Sequence, residues 1–120
     1  MANLKRNMIE LIKNPEEVAQ GAEVEVEKIW TPAFISLDVT YEAMDLMDKL
    51  EDDEEMSSKE VLDLLLDFVG NKMYNGQVTV DDLRKRLHAP DAIKTLQDQV
   101  LFIAQGQQSD ATKSFLEKKR

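Results

Sequence analysis

Apolar residues recur at helical spacing along most of this chain, most densely in residues 57–69, SSKEVLDLLLDFV. Set on a helix, Val61, Leu65, Phe68 and Val69 form one stripe, and Leu62 and Leu66 widen it. Leu64 lies away from that stripe, so little of this helix can face water, and its place is the middle of a bundle. Ser57 followed by Glu60 fits a capping box, each side chain satisfying a backbone N–H. A second helix runs from Ser36 or Asp38 to about Leu50. It buries Val39, Ala43, Leu46, Met47 and Leu50 and exposes Asp45, Asp48 and Lys49. Downstream, Asn75-Gly76 marks a tight turn and Thr79 caps a helix with Asp81 and Asp82 in its first turn. That helix buries Val80, Leu83 and Leu87 and exposes Arg84, Lys85 and Arg86. Ala89-Pro90-Asp91 starts the next one, proline suiting the first position. There Ile93, Leu96, Val100 and Ile103 form a seam at seven-residue spacing, with Leu101 and Phe102 beside it.

The period changes near the N-terminus. EVEVEKIW, residues 23–30, alternates strictly, with Val24, Val26 and Lys28 on one side and the glutamates on the other. Residues 4–12 fit either a helical stripe (Leu4, Met8, Leu11, Ile12) or a strand (Met8, Glu10, Ile12). A lone strand is unstable, and residues 4–12 are its one candidate partner, so a small hairpin is expected. Asn14-Pro15-Glu16-Glu17 starts a short helical turn that Gly21 stops. Thr31-Pro32 ends the hairpin. The expected fold is mainly α: a small bundle of about four to five helices with a short N-terminal β-hairpin arm within residues 1–30. One helical domain spans 1–106. Gly106 closes its last helix, Gln107-Gln108-Ser109 forms a flexible joint, and 107–120 is a flexible or helical tail.

Composition narrows the function more than the fold. The 120 residues contain no cysteine, which excludes disulfides and thiolate chemistry and points to a cytosolic setting. No apolar run approaches a membrane span, and the N-terminus lacks the pattern of a signal peptide. Net charge is −9, concentrated between Asp38 and Asp67, where twelve acidic residues face only Lys49 and Lys59. Such a middle repels phosphate backbones, so nucleic-acid binding is not expected. The acidic run Glu51-Asp52-Asp53-Glu54-Glu55 lacks the alternating ligands and central glycine of a calcium loop and reads as a charged turn. His88, the single histidine, sits at a helix end as a capping or surface residue. No nucleophile arrangement, phosphate loop or metal-ligand spacing is present, so neither an enzyme nor a cofactor is expected.

The large rings Trp30, Phe34 and Phe102 suit either a core or a partner groove. Two blocks, KIWTPAFISLDVTYEAMDLMDKLE and VLDLLLDFVGNKMYNGQVTVDDLRKRLHAPDAIKTLQDQVLFI, resemble the tail assembly chaperones of long-tailed, siphovirus-type bacteriophages. Those proteins show a short strand, a Pro-Phe-Ile/Val-Ser lead-in, a helix and an acidic break. A helix ending near Phe-Gly-Asn and then Phe-Thr-x-Asp-Asp-Leu follow. Here the lead-in is Pro32-Ala33-Phe34-Ile35-Ser36, with an extra alanine, and Val78 stands where phenylalanine is usual before Thr79-Val80-Asp81-Asp82-Leu83.

The resemblance, over roughly residues 24–105, implies a protein of the host bacterial cytoplasm that is absent from the mature virion. It implies binding to the tape measure protein, recruitment of major tail tube subunits, and homo-oligomers as rings or spirals. It also implies a longer frameshifted form, for which Glu117-Lys118-Lys119-Arg120 suits an A-rich slippery site. The expected self-association or client contacts are Trp30, Phe34, Leu101, Phe102, Phe115 and Leu116. The alternatives are an acidic DNA mimic or a regulatory protein that binds a basic host or phage protein.

Overall fold

The computed structural model describes residues 4–52 and 55–118. Asp53 and Glu54 of the acidic run, and Lys119 and Arg120 of the proposed slippery site, lie outside the described residues. Strand β1, Met8–Ile12, pairs antiparallel with β2, Val26–Trp30, in the register Met8↔Trp30 through Ile12↔Val26. Between them lies α1, Pro15–Ala19, with proline in its first turn. Asn14 braces this connection: its Nδ2 donates to the Glu23 carbonyl and its Oδ1 accepts from the Glu25 N–H, each at 2.9 Å. The helices that follow are α2, Leu37–Asp52; α3, Ser58–Asp67; α4, Val80–Arg86; α5, Ala89–Gln105; and α6, Asp110–Lys118. The fold is therefore mainly α with a short hairpin, as the pattern predicts.

Within residues 4–12 the strand is Met8–Ile12, and it buries side chains on both faces. Ile9 and Leu11 join the helical core, while Met8 lies on the opposite face beside Trp30, towards α6. The hairpin is thus built into the core rather than held out as an arm. Only the end of β2 is covered: Val24 and Val26 are exposed, so the alternation at 23–27 does not mark a buried valine face.

Ser57 accepts the Glu60 N–H at 3.2 Å and caps α3, but among the described residues only this half of the expected capping box forms. The reciprocal box closes at Thr79 and Asp82. The helix does not stop at Val69. It widens into a π-helix over Phe68–Met73, closed by Tyr74 N–H donating to the Val69 carbonyl at 3.1 Å. The stretch GNKMYNGQ, residues 70–77, therefore supplies core: Met73 and Tyr74 are buried, as is Val78 just after it. Gly70 makes this fit, since a Cβ there would stand 3.3 Å from Val80 Cγ2. The Asn75-Gly76 turn forms as expected, both residues at positive φ.

Helix α5 buries Leu96, Gln99, Val100, Phe102 and Ile103. Ile93, expected in the seam, is exposed, and Phe102, expected beside it, is core. The buried residues of α5 all lie between Leu96 and Ile103, so Ile93, nearer the start of the helix, falls outside the covered part. On α4, Leu83 is buried and Arg84 and Lys85 are exposed, but Arg86 is not: it folds inward, its Nε donating to the Ile12 carbonyl at 2.9 Å and its guanidinium pairing with Glu27.

Candidate functional surface

The backbone groups of Met8 point away from β2, because the neighbouring Asn7–Thr31 pair carries the ladder bond. A buried polar cluster satisfies them. Thr112 Oγ1 accepts the Met8 N–H at 3.1 Å, and Gln99 Nε2 donates to the Met8 carbonyl at 2.9 Å. Gln99 Oε1 accepts from the Tyr74 hydroxyl at 2.6 Å and from Asn7 Nδ2 at 3.2 Å. Asn7 Oδ1 in turn accepts from Thr112 Oγ1 at 2.7 Å and from the Ser109 N–H at 2.9 Å. Burial pushes the Tyr74 hydroxyl far above its ordinary pKa, so it stays a neutral donor. Among the described residues every buried side-chain polar atom has a partner. The cluster joins hairpin, α5 and α6 with no titratable group poised for chemistry.

This cluster also governs the tail. Segment 107–109 is tied down by Gln108 Nε2 to the Arg6 carbonyl at 2.8 Å and by the Ser109 bonds to Asn7. Helix α6 then places Phe115 edge-on to Trp30, ring centroids 5.7 Å apart, with Lys28 Nζ over the Phe115 ring.

The six expected contact residues separate. Trp30 and Phe115 meet each other and are half-buried; Leu116 is exposed on α6. Phe102 is only 7% exposed, within the core. Leu101 is half-buried and lines a groove of about 240 Å³ with Met47, Leu50 and Val100. Phe34 is 70% exposed, and it has company that residue spacing did not single out: Leu37 at 68%, Tyr41 at 62% and Met44 at 49%. The helical face at 37, 41 and 44 is itself a sequence signal, but it is outcompeted on paper by the Val39-Ala43-Leu46-Leu50 stripe on the other side of α2. Behind Phe34, a cavity of about 310 Å³ is lined by Leu4, Ile35, Phe102 and Ile103.

The remaining chemistry is sparse. His88 occupies the N-cap position of α5, exposed and without a side-chain cap bond. Lys94 has its pKa raised by its hydrogen bond to Asp98, a surface pair one helical turn apart. Among the described residues no group of three His, Cys, Asp or Glu side chains could hold a metal ion, and no helix is long and apolar enough to cross a membrane.

No match to a curated protein or to a solved structure was found. The family described as phage tail chaperone protein matches residues 3–120, almost the whole chain. By that match, the chain belongs to the phage tail chaperone protein family.

Proposed function

We propose that this protein is a non-enzymatic tail assembly chaperone that binds and solubilises the tape measure protein and helps recruit tail tube subunits. It acts in the host cytoplasm, as a ring or spiral of copies, and leaves before the virion is complete. One observation supports this beyond family membership: an acidic bundle with a buried core still holds a row of large apolar side chains in water, Leu37, Tyr41 and Met44 on one face of α2, with Phe34 exposed just ahead of that helix. Scattered exposed apolar residues are ordinary, whereas a contiguous row is the mark of an interaction surface.

A tape measure protein with long apolar helical stripes aggregates unless they are covered until the tube encloses them. A small acidic domain suits the task, its apolar row meeting the stripe and its carboxylates keeping the assembly dispersed. Release demands many weak repeated contacts rather than one tight site. Phe34, Leu101 and Leu116 offer direct contact in this reading, the Trp30–Phe115 pair holds α6 in place, and Phe102 supports Phe34 from beneath. Co-expression with the tape measure protein tests it. The client should move into the soluble fraction and co-purify, and a client that stays insoluble would count against the chaperone role.

A further inference from the structure

Helix α2 has two apolar faces, and only one is used within the chain. Ala43 and Leu46 are buried in the core; Leu37, Tyr41 and Met44 face water. At 3.6 residues per turn, positions 37, 41, 44 and 48 fall within about 60° of one another, so the outer row continues into Asp48. Asp45, Glu51 and Asp52 flank that end. The outer face is thus apolar in its first half and acidic in its second. Of the six carboxylates of α2, only Glu42 is ion-paired among the described residues, to Lys72 at 3.4 Å. The other five form no ion pair with a described residue.

We propose that this face docks an amphipathic helix of a partner protein whose apolar stripe runs on into lysines or arginines, the acidic end of α2 setting the direction in which that helix lies. The inference rests on the chaperone reading only for which protein supplies the helix. A second copy of this chain fits poorly. Pairing α2 with α2 would bring acids against acids. The other exposed large apolar residues away from this face form no base-flanked row: Val24 and Val26 stand among Glu23, Glu25 and Glu27, while Leu4 beside Lys5 and Arg6, Ile93 beside Lys94, and Leu116 one turn from Lys113 are single exposed residues. The exposed bases Arg84 and Lys85 on α4 border no exposed large apolar residue of that helix.

Two helix-stapled peptides with the same leucine row test the chemistry, one with lysines after the row and one with glutamates. Fluorescence anisotropy on the full chain should show the lysine peptide binding at least about tenfold more tightly, with the difference shrinking as salt rises. Leu37→Glu with Tyr41→Glu should abolish binding, and Asp45→Lys with Asp48→Lys should reverse the preference. All four side chains are exposed, so circular dichroism should show both variants folded. Equal affinity for the two peptides, or binding unaffected by Leu37→Glu with Tyr41→Glu, overturns the proposal. So does a change of oligomer mass in that variant with peptide binding intact, which would give the face to a second copy. Co-expression separates the two claims. A variant that solubilises the tape measure protein as well as wild type sinks this docking site and spares the chaperone role. A wild type that solubilises nothing, yet discriminates the peptides, does the reverse.

Discussion

Gln99→Leu puts the buried polar cluster to its sharpest test. Gln99 is 1% exposed and joins three partners: the Tyr74 hydroxyl, Asn7 Nδ2 and the Met8 carbonyl. Leucine fills nearly the same space but leaves all three without a bond. An unsatisfied buried polar group costs about 1–3 kcal/mol, partly offset by burying a more apolar side chain. The net loss should be about 3–5 kcal/mol, a large share of the roughly 5–15 kcal/mol available to a domain. With a urea m-value of about 2 kcal/mol per molar, the unfolding midpoint should fall by roughly 1.5–2.5 M. Tyr74→Phe alone should cost only about 1 kcal/mol, because Gln99 Oε1 keeps Asn7. Combined, the two changes should cost less than their sum by about 1 kcal/mol, since the hydroxyl stranded by the first is removed by the second. A Gln99→Leu penalty below about 1 kcal/mol, with additive effects in the pair, would refute the claim that the cluster holds hairpin, α5 and α6 together.

Tyr74 also sets an alkaline limit. Its pKa is raised on folding, so its contribution is intact below the ordinary tyrosine value near 10 and is lost as pH rises above it, by about 1.4 kcal/mol per unit. Denaturation of Tyr74→Phe across the same range should lack that slope, and matching slopes would contradict the assignment. Trp30, the single tryptophan, reports on α6: Phe115→Ala should shift its emission to the red, whereas an unchanged spectrum would mean that α6 does not shape its surroundings. Thr79→Ala should destabilise by about 1 kcal/mol and exceed Ser57→Ala, because only Thr79 belongs to a reciprocal box. Thermal melts of the two variants settle the order.

Much of the architecture was legible because local rules agree with the fold. Proline at the start of α1 and α5, the Thr79 cap, the Asn75-Gly76 turn and Gly106 at the end of α5 all act within a few residues. The contact surface was harder to read. Phe34 stood out as a large ring, but Leu37, Tyr41 and Met44 did not, because α2 carries apolar residues on two sides and spacing cannot say which side finds a neighbour. Arg86 and Phe102 show the same gap: a charge was drawn inward by a strand-end carbonyl, and a ring placed beside a seam became core.

By itself the sequence determined the element types, their caps and turns, the acidic middle and the family pattern, since each depends on neighbours in the chain or on composition. Tertiary structure alone decided that β1 is a strand covered on both faces, that the helix after Asp67 widens into a π-turn, and that Asn7, Tyr74, Gln99 and Thr112 form one buried cluster. Asn7 and Thr112 lie 105 positions apart. No periodicity links residues so distant; they meet because outward-facing backbone groups on β1 must be satisfied, and only the packed helices can bring them partners.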